Sequence, residues 1–313
     1  MKAICIDHFG GPDVMHVQDI TKPHAQPGEV LVKAVMVGIN PVDYKIREGQ
    51  YPEVGEDKLP LTLGREVAEV IEALGSDVFG FKPGDPVFAM IGADGGYAEY
   101  VRVPARHLAL IPARLDWAQA AGVPLAAHTA WQALVEHGRI EHGQKVLIHG
   151  GSGGVGHFAV QFARVKGAQV YATASTDSIE FLQSLGVDRA IDYTRERFED
   201  ICQDFDLVID LIGGETQARS WQVLGDGGRL VSTLHMPDAH HPQAQGKTGI
   251  RFTAQPDGHE LAAIVELIEA SEVQVSIQRT FELAQAREAL DYMVQQHVHG
   301  KVVLAVASGD AGR

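Results

Sequence analysis

The spacing of apolar and polar positions changes near residue 117, and the change predicts two kinds of structure. Before that point, β-branched and partly alternating stretches predict strands at 29–39, 86–91 and 96–104, separated by clusters of Gly, Pro and Asp. After that point, helical and strand patterns alternate, which is typical of a parallel, doubly wound sheet. The helices are predicted at 120–138 and 177–186 and the strands at 168–174, 189–193, 206–213 and 228–234. The end of the chain adds helices at 260–270 and 283–294 and a closing strand at 301–306. Asp257 and Glu260 have the spacing of a helix capping pair.

A glycine-rich turn lies between a predicted buried strand at 145–149 and a helical pattern that begins at Val155. Its glycines have the spacing G-x-G-x-x-G, in which the first permits a tight turn, the second admits a phosphate and the third lets helix and strand pack closely. The string alone also occurs in plain loops, but these flanks favour dinucleotide binding. The predicted cofactor contacts here are Gly151, Ser152, Gly153, Gly154, Val155 and Gly156.

Composition narrows the class of protein. The 313 residues are enough for two domains, and the net charge of −15 argues against a nucleic-acid partner, because a phosphate backbone demands a basic face. Cys5 and Cys202 are the only cysteines, so no disulfide framework is expected. No signal peptide or membrane-spanning stretch is predicted. We therefore expect a cytoplasmic protein without a membrane partner.

Six stretches, in this order, resemble the medium-chain dehydrogenase/reductase superfamily, most closely its zinc-independent quinone oxidoreductase (zeta-crystallin-like) branch. They are GINPVDYKIREGQYP, KPGDPVFAM, GGYAEYVRVP, AAHTAWQAL, GGSGGVG and GKVVL. The resemblance implies an α/β fold in which a Rossmann doubly wound parallel sheet is inserted into a β-rich GroES-like catalytic domain. We place the catalytic domain at 1–115 and 256–313 and the Rossmann domain at 116–255. The resemblance also implies NADPH as cofactor, a quinone or α,β-unsaturated carbonyl as substrate, and a homodimer.

The residues at the expected zinc positions predict that no metal is bound. Zinc-dependent relatives carry a His where this chain has Arg65, and a ligand Cys where it has Asn40 and Pro41. Two cysteines cannot form a four-cysteine site. The remaining histidines near one another are expected in solvated loops: His235, His240 and His241, and His297 and His299.

Polar side chains after the strand at 29–39 are the candidate catalytic groups, because hydride transfer needs donors that stabilise charge growing on the acceptor oxygen. Asn40 offers an amide, although it could only cap a turn. Tyr51 matches a tyrosine that the family places near the substrate, although it could only pack. Tyr44 and Lys45 are weaker candidates, and Asp43 is expected to make a structural hydrogen bond. Solvent is the expected proton donor.

The remaining cofactor contacts come from the resemblance and from strand ends. Thr129 matches a family position beside the nicotinamide or phosphates, and Ile212 and Gly213 lie in a turn that ends a strand. Ser175 and Thr176 are expected to donate to the 2′-phosphate of NADPH, with Tyr193 at a matching family position.

Asp177 lies near the position of the acid that binds the ribose 2′-hydroxyl in NAD sites, and in that role it would favour NAD. Because Asp177 stands three residues before Glu180, we expect it to cap the following helix. The sequence therefore predicts a modest preference for NADPH. An enoyl-thioester reductase and a non-enzymatic NADPH-binding protein stay open as alternatives.

Overall fold

The computed structural model describes residues 1–92 and 95–306. Its strands are β1 (Lys2–Ile6), β2 (His16–Asp19), β3 (Glu29–Gly38), β4 (Leu61–Thr62), β5 (Glu66–Leu74), β6 (Pro86–Met90), β7 (Tyr100–Pro104), β8 (Leu108–Leu110), β9 (Lys145–His149), β10 (Gln169–Ala174), β11 (Arg189–Asp192), β12 (Phe205–Asp210), β13 (Leu224–Ser232), β14 (Thr248–Arg251), β15 (Ile277–Glu282) and β16 (Lys301–Ala305). Its α-helices are α1 (Pro41–Arg47), α2 (Trp117–Ala121), α3 (Pro124–Trp131), α4 (Gly154–Val165), α5 (Ile179–Ser184), α6 (Gly214–Ser220), α7 (Gly258–Glu269) and α8 (Ala286–Gln295).

One sheet is wholly parallel and has the strand order β11-β10-β9-β12-β13-β14. Renumbered by their place in this unit, the strands run 3-2-1-4-5-6, which is the order of a dinucleotide-binding Rossmann sheet. The centre of β9 has no exposed residue, since Val146, Leu147 and Ile148 are fully buried. A continuous apolar run is expected where helices cover both faces of a parallel sheet.

The second unit is built from both ends of the chain. A seven-stranded sheet has the order β15-β16-β3-β5-β6-β8, with β7 added on β3, and a three-stranded sheet has the order β2-β1-β4. Strand β16, from the end of the described chain, pairs antiparallel with β3 from its beginning. The predicted fold class, a Rossmann sheet inserted into a β-rich GroES-like unit, is therefore confirmed.

The apolar stretch predicted as one helix at 120–138 is divided. Helix α2 ends before Gly122, helix α3 begins at Pro124, and residues 132–137 continue as a π-helix. Proline at the start of α3 lacks the N–H that a continuing helix would need, so the break falls there. The strand predicted at 96–104 is also shorter, because only Tyr100–Pro104 pairs as a strand.

Helix α4 begins at the glycine turn and packs against the core. Phe158, Ala159 and Phe162 lie on its buried face, and Trp131 meets Phe162 edge to face with ring centroids 5.4 Å apart. Each fully buried phenylalanine contributes roughly 1.5–3 kcal/mol, so this face holds the start of α4 firmly against β9 and β10. None of the helices among the described residues combines the length and apolar character that crossing a membrane requires.

The predicted helix at 260–270 is confirmed as α7, with its cap. The Asp257 carboxylate accepts hydrogen bonds from the backbone N–H groups of His259 and Glu260 at 2.7 and 3.2 Å. The Glu260 side chain does not return this bond. It accepts instead from Gln132 at 2.7 Å, which ties α7 to the π-helix that follows α3.

Candidate active site and cofactor cleft

A cavity of about 1040 Å³ lies between the two units. One wall consists of residues that directly follow the parallel strands β9 to β14. In chain order they are Gly150, Ser175, Tyr193, Leu211, Thr233 and Phe252. The opposite wall comes from the segment around α1 and from the residues before and within β16. The carboxyl edge of a doubly wound sheet is where such folds bind nucleotides.

The glycine turn forms the floor of the cavity. Gly150 has a φ of +74°, a conformation that favours glycine, and it lines the cavity although it precedes the predicted motif. Gly151, predicted as the turn glycine and a cofactor contact, is buried, and a Cβ on it would lie 2.8 Å from that of Ala172. A Cβ on Gly156 would lie 2.1 Å from the Gly150 carbonyl oxygen. The motif was found correctly, but Gly150 makes the turn and Gly151 packs beside β10.

The predicted contacts Ser152, Gly153, Gly154, Val155 and Gly156 all line the cavity. Gly153 is the N-cap of α4, so the first backbone N–H groups of this twelve-residue helix point toward the cavity without partners in the helix. The helix dipole adds positive potential at the same place. This end of the cavity is suited to a pyrophosphate.

Of the two cofactor contacts predicted directly after β10, only one lines the cavity. Ser175 lines the cavity, and its hydroxyl lies 3.1 Å from that of Ser178. The Thr176 hydroxyl instead donates to Asp192 at 2.6 Å, and Thr176 is not among the lining residues. Hydrogen bonds from Thr176 and its neighbours hold the pKa of Asp192 below its ordinary value. The cofactor contact predicted for Thr176 gains no support from this geometry.

The prediction that Asp177 caps a helix is wrong. A 3₁₀ turn, Thr176–Ser178, follows the strand, so helix α5 begins only at Ile179 with Ser178 at its N-cap. Asp177 is exposed, and its carboxylate accepts no hydrogen bond from the described residues. Tyr193, at the end of the neighbouring strand, is 53% exposed and lines the cavity as expected.

Two further predicted contacts lie on the same edge. Ile212 lines the cavity, and the turn that presents it is held by Asp210, which accepts from the N–H groups of Ile212 and Gly213 at 3.1 and 2.8 Å. Gly213, with a φ of +79°, shapes this turn but is not among the lining residues. Thr129 lines the cavity from α3, where its hydroxyl donates to the Leu125 carbonyl at 2.7 Å.

The opposite wall carries Tyr51 and Arg65 together. Arg65 donates from Nη1 to the Tyr51 Oη at 3.0 Å and from Nε to the Gly92 carbonyl at 3.2 Å. Tyr51 in turn donates to Glu53 at 3.0 Å. Burial raises the pKa of the Tyr51 phenol above its ordinary value, and the Arg65 charge opposes that rise. Arg65, at the place of a zinc-binding histidine, therefore positions the predicted catalytic tyrosine.

Asn40 is buried in a charged cluster that also reaches the cavity. Its Nδ2 donates to Glu66 at 2.7 Å, and its Oδ1 accepts from the Lys301 ammonium at 2.5 Å. Lys301 also donates to Glu66 at 2.7 Å, and Glu66 accepts from the backbone N–H of Leu125 at 2.7 Å. Both charged side chains are at most 3% exposed. Asn40 is thus engaged on both ends of its amide, and its role toward substrate or cofactor stays a prediction.

Asp43 makes the structural hydrogen bonds expected of it. Its Oδ2 accepts from the Asn40 backbone N–H at 2.8 Å and from the Tyr97 hydroxyl at 2.7 Å. Complete burial raises the pKa of Asp43 to about 6, and these hydrogen bonds oppose the rise. The carboxyl holds the start of α1, and with it the segment that carries Tyr44 and Lys45 into the cavity wall.

The lining of the cavity has one sign of charge. None of the described lining residues is an Asp or Glu, although the chain has 41 acidic residues. The ionisable groups that line it are Lys45, Arg65, His235, Arg251, His297 and Lys301, besides Tyr44, Tyr51 and Tyr193. This arrangement favours an anionic ligand.

The five histidines expected in loops lie outside helices and strands, and His235, His240 and His297 are exposed. His235 and His297 line the cavity, and His299 lies against α5, where its Nε2 is 2.8 Å from the Ser178 hydroxyl. Within residues 1–92 and 95–306, no three or more His, Cys, Asp or Glu side chains are grouped to hold a metal ion. Metal-free activity remains a prediction that chelation tests.

Comparison with known proteins agrees with this architecture. Residues 26–113 match the family model described as alcohol dehydrogenase GroES-like domain, and residues 185–304 match the one described as zinc-binding dehydrogenase. An Arabidopsis thaliana protein named NADPH-dependent alkenal/one oxidoreductase, chloroplastic, is 37% identical over 97% of this chain and 79% of its own length. The chain belongs to the medium-chain dehydrogenase/reductase superfamily, in its zinc-independent quinone oxidoreductase-like branch.

Two more members of this superfamily are similar over nearly the whole chain. The 2-methylene-furan-3-one reductase of Solanum lycopersicum is 36% identical over 97% of this chain and 79% of its own length. The structure of the quinone oxidoreductase from Coxiella burnetii superposes with a TM-score of 0.92 at 34% identity, covering 98% of this chain and 99% of that one.

Sequence reasoning missed several residues of the site. Gly150 could have been predicted from the sequence, because it is a glycine directly after a buried strand. No local pattern assigned Lys301, Arg251 or His299 to the site, although Lys301 lies in the GKVVL stretch, because each meets the cavity or its surroundings through contacts distant in sequence. Superfamily membership would not have supplied these contacts without the tertiary structure.

Proposed function

We propose that this protein catalyses NADPH-dependent reduction of quinones or α,β-unsaturated carbonyl compounds without a metal. The observation that carries the proposal is the cavity itself. A glycine turn and a helix N-terminus lie at one side, a tyrosine held by an arginine lies at the other, and no acidic residue in the described part of the chain lines the space between them.

The residues present fit a dinucleotide phosphate. The backbone is bare at Gly153 and Gly154, where α4 begins and a pyrophosphate must approach. A Cβ on Gly156 would lie 2.1 Å from the Gly150 carbonyl, so this glycine lets α4 pack closely on the turn. The acid-free lining suits NADPH, which carries several negative charges. The Arabidopsis relative is NADPH-dependent by name.

The proposed cofactor contacts follow from this arrangement. They are Thr129, Gly150, Ser152, Gly153, Gly154, Val155, Gly156, Ser175, Tyr193 and Ile212, all of which line the cavity. Gly151 acts by packing beside β10, Gly213 by shaping its turn and Thr176 by holding Asp192.

Tyr51 is the proposed hydrogen-bond donor to the substrate oxygen. The nicotinamide supplies the hydride when it is bound. Negative charge then grows on the acceptor oxygen, and the Tyr51 hydroxyl turns from Glu53 to donate to it, while Arg65 stabilises the phenol oxygen. Asn40 and Lys301 position this wall, and solvent supplies the proton.

A substrate panel tests this function. Purified protein is assayed for NADPH oxidation with 9,10-phenanthrenequinone, with simple enones and with crotonyl-CoA. We expect turnover of the quinone or the enones. Turnover of crotonyl-CoA alone would favour an enoyl-thioester reductase. NADPH binding without turnover of any of these would favour a non-enzymatic protein.

Tyr51→Phe tests the catalytic assignment. It should lower kcat about 10- to 100-fold while leaving the Kd for NADPH unchanged, because the lost donor acts only on the reacting oxygen. Tyr100→Phe, on β7 and outside the cavity lining, is the matched control and should keep the wild-type rate. An unchanged kcat in Tyr51→Phe would remove Tyr51 from the mechanism.

Several broader predictions belong to the same proposal. We place the domain boundaries at 115/116 and 255/256, and limited proteolysis would test them. We infer a homodimer through β14, which is one of the two edge strands of the Rossmann sheet among the described residues, and light scattering would test it. We also infer a cytoplasmic protein that does not bind nucleic acid, in keeping with the net charge of −15.

A further inference from the structure

His299 joins the segment before β16 to the far end of the cofactor cleft. Its Nε2 lies 2.8 Å from the Ser178 hydroxyl, and its ring stacks on Phe181 of α5 with centroids 5.0 Å apart and planes 4° apart. These two contacts hold the imidazole in one orientation, although His299 is 121 residues from Ser178 along the chain.

The contact continues into the cavity through a second hydroxyl. Ser178 is 1% exposed, and its Oγ lies 3.1 Å from the Oγ of Ser175. Ser175 directly follows β10 and lines the cavity. His299, Ser178 and Ser175 therefore form a row of polar groups that ends where a cofactor ribose would lie. We call this row the His299 relay.

The segment that carries His299 is itself held in place. Gly300 has a φ of +72°, and a Cβ there would lie 2.2 Å from the Ser276 carbonyl oxygen. Its N–H donates to the Ser152 carbonyl at 2.9 Å, so the residue after His299 is bonded to the glycine turn. A displacement of this segment would break the Gly300–Ser152 and His299–Ser178 contacts together. The two contacts therefore fix the relay relative to the glycine turn.

The direction of hydrogen bonding in the relay depends on the ligand. A fully ionised phosphate only accepts hydrogen bonds, so Ser175 must donate to it. Each serine has one hydroxyl hydrogen, so Ser178 must then donate to Ser175, and an imidazole N–H on His299 must donate to Ser178. A ribose 2′-hydroxyl both donates and accepts, and it imposes no direction.

We propose that His299, acting through Ser178, is a positioning residue that selects NADPH over NADH by orienting the Ser175 hydroxyl as a donor to the 2′-phosphate. The inference rests on the proposed function in taking Ser175 as a 2′-phosphate contact. It matters here because the stretch Ser175–Ile179 contains no Lys or Arg, which would otherwise supply the discrimination.

The test measures cofactor binding directly in the full chain. Kd values are determined by calorimetry for NADPH, NADH, adenosine 2′,5′-bisphosphate and 5′-AMP. His299→Phe keeps a ring to stack on Phe181 and removes the N–H, so it should weaken NADPH and the bisphosphate about fivefold, the worth of one hydrogen bond. The Kd values for NADH and 5′-AMP should change less than twofold, which is less than about 0.4 kcal/mol.

Three variants make the result specific. His299→Gln returns an N–H donor near the place of Nε2 and should recover most of the NADPH affinity. Ser178→Ala should reproduce the effect of His299→Phe. Ser184→Ala is the matched control, because Ser184 ends α5, the helix that Ser178 begins. The Ser184 hydroxyl donates to the Phe181 carbonyl at 2.6 Å and contacts none of the three relay residues. This variant should behave as wild type.

The outcomes separate the relay from the site on which it rests. If Ser175→Ala leaves the NADPH and NADH affinities unchanged, the proposed 2′-phosphate contact is wrong. If Ser175→Ala weakens NADPH selectively but Ser178→Ala does not, the relay is refuted while the contact stands. Equal weakening of both cofactors by His299→Phe also refutes the relay. Should His299→Phe fail to fold, Ser178→Ala decides alone.

Discussion

Replacing Lys301 with methionine should destabilise the folded protein by about 3–5 kcal/mol, because it leaves a buried charge without its partner. The Lys301 ammonium lies 2.7 Å from Glu66 and 2.5 Å from Asn40, and it also donates to the Ile39 carbonyl at 2.9 Å. Methionine fills similar space but makes none of these bonds. Glu66 then keeps only the N–H groups of Asn40 and Leu125.

The magnitude can be measured as a shift of the melting temperature. For a chain of 313 residues, a loss of 3–5 kcal/mol corresponds to a fall in Tm of about 5–8 °C. Scanning calorimetry of the protein without cofactor gives this value. Lys33→Met is the control, because Lys33 is exposed on β3 and makes no ion pair with the described residues. It should change stability by less than about 0.5 kcal/mol.

A double variant isolates the charge interaction. Glu66→Gln removes the carboxylate charge, so Lys301→Met combined with Glu66→Gln should be more stable than the sum of the two single effects by about 2 kcal/mol. Additive effects, or a Lys301→Met variant as stable as Lys33→Met, would refute the argument that the buried pair holds this wall of the cavity.

Three other predictions concern pH, metal and the glycine turn. Burial raises the pKa of Glu260 to about 7 from an ordinary value of 4.5. The contribution of Glu260 to stability is therefore greatest below about pH 4.5 and is lost as the pH rises through about 7. Glu260→Gln should raise Tm at about pH 8 and leave it nearly unchanged at about pH 5. Dialysis against a chelator should leave activity and Tm unchanged, and stoichiometric zinc by elemental analysis would contradict this. Gly156→Ala, whose Cβ would strike the Gly150 carbonyl, should weaken NADPH binding at least about tenfold, whereas Gly11→Ala, with open space around it, should not.

Local sequence patterns were enough to predict the features that depend on neighbours along the chain. Apolar runs and helical spacing predicted helix α4 and the Rossmann strands β9 to β13, but not β14. Burial on a sheet or one helix face repeats over a few residues, so such patterns are visible in the sequence. The glycine spacing predicted the turn beneath the cavity, and the Asp257 cap of α7 followed from a local bond to Glu260. Where a short turn intervened, as before α5, the same local reasoning placed Asp177 wrongly.

The contacts between distant side chains depend on the packing of the folded chain and have no local pattern. Lys301 reaches Glu66 across 235 residues and His299 reaches Ser178 across 121, and neither pair has a spacing that a pattern could detect. Arg65 was noted for the metal ligand it replaces, but its hydrogen bond to Tyr51 depends on how the chain after α1 meets the residue before β5. Periodicity reports which face of an element is buried. The element that covers that face depends on the packing of whole sheets. The side chains of this site therefore come together only when the unit formed by both chain ends packs beside the Rossmann sheet.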